Sequence, residues 1–172
     1  MFGRLAISFA AISFAAICLV CVPAVAAPAG ALNKTVRASF SYSAPAKGSD
    51  GSTISGTRQV QRTVYISSQG RIFNRHNEQE GRNSAERERG PGVTNMRFAG
   101  NSIVGVHQQA SGAVRMTINF SADFRSCTID VIAGGEGGKP VQFKGLNGIM
   151  YTTTGKPQIS GQSCSVSEGN AL

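Results

Sequence analysis

The chain has 172 residues, with 17 lysines and arginines against 9 aspartates and glutamates, and its formal net charge is +8. This length suits one ordinary domain, which can bury a core of its own without a structural metal. Tryptophan is absent, which disfavours a site for neutral sugars because such sites need large aromatic platforms. The positive charge favours anionic partners or simple solubility.

The first 26 residues have the three-part pattern of a secretory signal peptide. Arg4 supplies the only charge, residues 5–22 are mostly apolar, and Ala24 and Ala26 place small residues where signal peptidase cleaves. The apolar run of about 18 residues reaches the lower limit for crossing a bilayer, so an uncleaved anchor is the alternative. We expect cleavage after Ala26 and one periplasmic or secreted domain at residues 27–172.

Two cysteines, Cys127 and Cys164, remain after the predicted cleavage point. An even number of cysteines in an oxidising compartment predicts a disulfide. The bridge would stabilise the domain by about 4 kcal/mol in the chain-entropy model. Cys18 and Cys21 leave with the signal, and neither follows the small residue that precedes a lipid-modified cysteine.

Short β-strands are predicted along the rest of the chain. Residues 34–43 alternate strictly, with Val36, Ala38, Phe40 and Tyr42 on one face. This period of two indicates a half-buried strand. The next predicted strand is 58–67, which a Gly-containing turn connects to a short antiparallel continuation at 71–75. The other predicted strands span 93–98, 102–108, 113–120, 125–132, 140–146, 149–154 and 158–166.

Turn signals recur between these strands. Asn147-Gly148 is the strongest hairpin dipeptide in the chain, and residues 44–52 are rich in turn formers and predict a loop. Without the short continuation at 71–75, these are about eight or nine short strands, and turns at this spacing indicate an all-β, antiparallel sandwich or barrel. The spacing does not choose between the two.

Residues 76–92 interrupt the strand pattern, because Ala85 is their only apolar residue. The segment predicts a polar, charged loop, or one or two helical turns at residues 84–89 with Asn83 as the N-cap. A polar loop of this length inside a domain is functional or disordered. One function that it would support is docking to another exported protein, as an inhibitor or accessory subunit does.

No motif with the spacing of a metal or cofactor site is present. The glycine-rich run 133–139 fails as a phosphate loop, because Pro140 stands where a hydroxyl is needed. His76 and His107 lack further ligands at the short spacing that zinc requires. Together with Glu78 and the arginines, they supply the residue types of a small secreted nuclease. His76, Glu78 and His107 are therefore the catalytic candidates, on the condition that the fold brings them together.

Arginines concentrate between residues 58 and 97. Arg58 and Arg62 share a face of one predicted strand, and Arg71 and Arg75 share a face of its partner. We expect an outward cationic surface, because guanidinium groups bind phosphate, sulfate and carboxylate groups bidentately. Glutamates in the same segment can instead neutralise it.

Three functions follow from these patterns, in order of preference. The first is a non-enzymatic binding or structural domain with a basic face for anionic envelope material. The second is the docking subunit, and the third is the small nuclease-like hydrolase. No cofactor, metal or specific nucleic acid is predicted, and a membrane enters only through an uncleaved signal segment.

Overall fold

The computed structural model describes residues 26–54, 57–91, 93–109, 112–132, 140 and 142–172. The predicted signal peptide, apart from Ala26, and the glycine-rich run 133–139 lie outside these residues. None of the described residues belongs to a helix that is long and apolar enough to cross a membrane.

The described residues form thirteen strands and one 3₁₀ turn, at Ala29–Ala31. The strands are β1 (Lys34–Ser43), β2 (Ala46–Gly48), β3 (Thr53–Ile54), β4 (Thr57–Ile66), β5 (Ile72–Glu80), β6 (Asn83–Arg89), β7 (Met96–Ala99), β8 (Ser102–Gln109), β9 (Gly112–Phe120), β10 (Cys127–Ile132), β11 (Gln142–Lys144), β12 (Met150–Thr153) and β13 (Gln158–Glu168).

The strands pair in three sheets, and every pairing is antiparallel. The central sheet has the order β13-β1-β4-β5-β6, the second sheet β10-β9-β8-β7, and the small sheet β11-β12-β2-β3. The prediction of an all-β, antiparallel domain is therefore confirmed.

One hydrophobic core joins the central sheet to the second sheet. Val36 and Val64 contribute from the central sheet, and Ile103 and Ile118 from the second, all with no exposed surface. Their alternation with polar residues follows from the period of two, which places every second side chain on the same face of a strand. A smaller cluster around Phe143 belongs to the small sheet.

The predicted disulfide between Cys127 and Cys164 is confirmed. The two Cα atoms are 5.5 Å apart, and the bridge closes a sequence separation of 37 residues. Cys127 lies on β10 and Cys164 on β13, which are edge strands of the second and central sheets. The bridge therefore fastens the two larger sheets to each other along one edge.

The structure differs from the prediction at residues 76–92. Strand β5 continues through His76 to Glu80, and β6 pairs with it after a turn at Gly81. Gly81 has a φ of 57°, a conformation that glycine adopts without a steric cost. The segment lacks apolar alternation because polar side chains occupy the inner face of this hairpin. A second difference is β2, which falls within the predicted loop at residues 44–52.

Candidate functional site

A row of polar side chains crosses the inner face of the central sheet. In register, Arg62 of β4 lies beside His76 of β5, and His76 lies beside Arg87 of β6. In the next row, Asn74 of β5 lies beside Arg89 of β6. Directly paired residues in an antiparallel sheet point to the same side. Four positions of β5 and β6 therefore present polar groups on the inner face of the central sheet.

These residues line a cavity of about 640 Å³. The inner face of the central sheet forms one wall, and residues 142–150 of the small sheet form the opposite wall. That opposite wall is held together by the rings of Phe143 and Tyr151, whose centroids are 5.7 Å apart. Asn147 Nδ2 also donates a hydrogen bond of 2.8 Å to Tyr151 Oη. The volume lies within the range of about 300–1,000 Å³ that small-molecule sites occupy.

The cavity lining carries more positive than negative charge. Its carboxylate among the described residues is Glu78, and its cations are Arg58, Arg62, Arg87, Arg89 and Lys144. Arg58 is neutralised, because its guanidinium lies 3.4 Å from Glu78 and 3.0 Å from Glu80. The other four cations form no ion pair with any described residue. The cavity is therefore electropositive.

Arg62 is the most deeply buried of these cations, with 8% of its surface exposed. Burial lowers the pKa of its guanidinium from 12.5 to about 10, the charge of Glu78 raises it in part, and the charge of Arg89 lowers it further. Its Nε has no hydrogen-bond partner among the described residues, and neither has the nearby buried Oδ1 of Asn74. A buried polar group without a partner is costly, so an acceptor that reached Arg62 would bind favourably.

His76 and Glu78 form a hydrogen-bonded pair in the same cavity. His76 Nε2 donates to Glu78 Oε1 at 2.5 Å. Burial lowers the pKa of His76, and its bond to Glu78 and the charge of that carboxylate raise it only in part. Burial also raises the pKa of Glu78, but the bond to His76 and the charges of His76, Arg58 and Arg87 outweigh it and hold that pKa at about 2.

This pair predicts a loss of stability in acid. The pKa of Glu78 falls on folding from its ordinary value of 4.5 to about 2. The ionised carboxylate therefore stabilises the protein above about pH 5, and this stabilisation is lost as the pH falls toward 2. The lowered pKa of His76 acts in the same direction below about pH 6.5. The free energy of unfolding, measured in urea, should fall between pH 7 and pH 3 in both proteins. The fall should be about 1–2 kcal/mol smaller for Glu78→Gln than for the wild type.

The matched control is Glu86→Gln, since Glu86 is exposed on β6 and faces away from the cavity. Its acid sensitivity should equal that of the wild type. Identical pH profiles for the wild type and Glu78→Gln would contradict the low pKa of Glu78.

The structure separates the four arginines predicted to form one outward surface. Arg58 and Arg62 face the cavity, which corrects the expected outward orientation. The reason is parity, because these positions have the same parity as Val60 and so share its face. Arg71 is exposed before β5, and Arg75 lies on the opposite face, paired with Glu88 and, at 3.8 Å, with Glu86.

The structure also brings in residues that the sequence analysis did not single out. Arg87 and Arg89 alternate with glutamates in β6, and the strand period places both arginines on the cavity side and the glutamates on the outer side. Lys144 and Phe143 come from β11, far away in sequence. The sequence contains the Glu-Arg-Glu-Arg alternation of residues 86–89. This alternation places the two arginines on one face only if the segment is a strand.

The structure shows the side-chain positions of two of the three catalytic candidates. His76 and Glu78 are in contact, whereas His107 lies on β8 in the second sheet, and its side chain lies outside the described part of the chain. The nuclease hypothesis, which requires the two histidines to converge, stays a prediction. Within the described ranges, no group of three or more His, Cys, Asp or Glu side chains is arranged to hold a metal.

No family model, no curated protein and no solved structure matches this chain.

Proposed function

We propose that this protein is a non-enzymatic binding domain for anionic envelope material, and that an anionic group of the ligand enters the cavity beside Arg62. The observation that carries the proposal is the burial of Arg62 without an ion pair to any described residue, in one cavity with three further cations of which the same is true. The cationic surface is thus an internal one and differs from the outward face that the sequence suggested.

The energetics support an anionic ligand. A cation that is removed from water without a counter-charge costs several kcal/mol, and the surrounding protein must offset that cost. Phosphate, sulfate and carboxylate groups accept two parallel hydrogen bonds from a guanidinium, so one such group can satisfy Arg62 and draw on Arg89 as well. The desolvated surroundings strengthen the attraction relative to a surface pair.

The His76–Glu78 bond favours binding over hydrolysis. A nuclease needs an acid and a base within reach of different oxygens of one phosphate. Here the two groups are bonded to each other, and a carboxyl with a pKa of about 2 is a poor proton acceptor near neutrality. The pair instead orders the cavity wall and partly balances Arg62.

We also propose that the protein acts outside the cytoplasm, in the periplasm or beyond. The signal-like pattern of residues 1–26 and the disulfide support export, because such bridges persist in oxidising compartments. We infer that the two larger sheets, which share one core, form a sandwich with the small sheet beside it.

Heparin chromatography tests the proposed function. The wild type should be retained, and Arg87→Ser with Arg89→Ser should elute at a clearly lower salt concentration. Each lost contact should reduce the slope of log affinity against log salt by about one. The measurement is the elution position together with binding affinity at several NaCl concentrations.

The control is Arg71→Ser with Arg97→Ser, which removes the same charge from two exposed positions outside the cavity. This variant should elute close to the wild type. Equal shifts for the two double variants would show that net charge alone retains the protein, and the proposed function would fail.

A further inference from the structure

The cavity has a polar side and an apolar side. Strands β5 and β6 supply the polar side, with Asn74, His76, Arg87 and Arg89. The apolar surface comes from Phe40 and Val60 of the central sheet and from Phe143, Leu146 and Met150 of the 142–150 wall, which also carries Gln142 and Lys144. A ligand that fills the cavity must therefore satisfy cations along one side and cover carbon surface along the other.

Met150 supplies an independent sign of an apolar ligand. It is one of three large hydrophobic residues that are strongly exposed among the described residues, with 43% of its surface in contact with water. The other two, Val93 and Ile132, are outside the set that lines the cavity. An apolar ligand body would cover the side chain of Met150, and methionine adapts to ligands of varied shape.

Arg58 marks the boundary between the two sides. Its guanidinium lies 5.4 Å from the centre of the Phe143 ring and is held by Glu78 and Glu80. Because these carboxylates neutralise it, Arg58 acts as a flat, partly apolar surface beside the aromatic ring. Arg62 and Arg89, by contrast, line the cavity without an ion pair to any described residue.

We propose that the ligand is an amphipathic organic acid, with a carboxylate or phosphate headgroup beside Arg62 and Arg89 and an alkyl or aryl body against Phe143 and Met150. This inference rests on the proposed function. An inorganic anion would leave most of the 640 Å³ filled with water and Met150 uncovered. A polyanion can insert only one anionic group beside Arg62, because a ligand charged along its whole length would place ions against Phe40 and Val60 if it filled the cavity.

Calorimetric titration of the full chain with octyl phosphate, octanoate, inorganic phosphate and octanol tests the ligand class. Octyl phosphate or octanoate should bind at least about tenfold more tightly than inorganic phosphate, since covering several methylene groups adds to the affinity. Octanol should show no saturable binding at the same concentrations, because it leaves Arg62 unpaired.

Two pairs of variants locate the two ends of the ligand. Met150→Ser should weaken the binding of octyl phosphate several-fold and leave inorganic phosphate unchanged, whereas Val93→Ser should change neither. Arg89→Gln should weaken both anions, whereas Arg97→Gln should change neither. Far-ultraviolet circular dichroism verifies that each variant is folded.

The outcomes separate the inference from the proposed function. If octyl phosphate and inorganic phosphate bind equally and Met150→Ser has no effect, the amphipathic ligand is wrong and anion binding stands. If octanol binds as tightly as octanoate, the headgroup contact is wrong. If no acid binds, the inference is overturned, and the heparin comparison decides the proposed function separately.

Discussion

Replacing both bridged cysteines, in Cys127→Ser with Cys164→Ser, should lower the free energy of unfolding by about 4 kcal/mol. The bridge closes a separation of 37 residues, and its removal restores conformational entropy to the unfolded chain. It also releases β10 from β13, which are the edges of the two sheets that share the main core. A loss of this size is a large part of the 5–15 kcal/mol typical of a domain.

Urea unfolding of the oxidised wild type and of the double serine variant measures this effect. The wild type treated with a reductant is the control, and its midpoint should shift as that of the variant does. A difference below about 1 kcal/mol would mean that the core alone holds the two sheets together.

Replacing Arg62 with methionine should raise the free energy of unfolding by about 1–3 kcal/mol and abolish anion binding. Methionine removes a desolvated charge, and the partial balance that Arg62 provides for Glu78 is also supplied by His76, Arg58 and Arg87. The gain in stability and the loss of binding have the same cause. A binding site that holds an unpaired charge is strained until its ligand arrives.

Thermal or urea unfolding gives the first half of this prediction, and heparin retention gives the second. Arg97→Met is the control, since Arg97 is exposed on β7, and it should change neither quantity. A strongly destabilised Arg62→Met variant would show that the guanidinium is structural. Unchanged retention would show that Arg62 does not contact the anion.

The sequence predicted β1 at its observed bounds, since Val36, Ala38 and Phe40 alternate with polar residues. It also predicted the turn at Asn147-Gly148, where Gly148 adopts a φ of 86°. Both signals are local, because alternation and turn chemistry depend on neighbours in the chain. The same rule failed at β6, whose inner positions are occupied by arginines that line a cavity.

The candidate site was predictable only in its residue types. His76, Glu78, Arg58 and Arg62 were identified from composition and spacing, but the direction in which the arginines point was missed. Counting from Val60 along β4 assigns Arg62 to the inner face by parity alone. The general expectation that arginine is exposed overrode that count.

By itself, the sequence determined the strand-rich, antiparallel class and the pairing of Cys127 with Cys164. Periodicity, turn residues and the number of cysteines carry that information locally. Only the tertiary structure decided that the polar positions of β4, β5 and β6 face the wall around Phe143 across a cavity. Strand periodicity assigns a side chain to a face of the sheet, but it does not show which distant segment packs against that face. That segment decides whether the side chain lies in a packed core or lines a cavity.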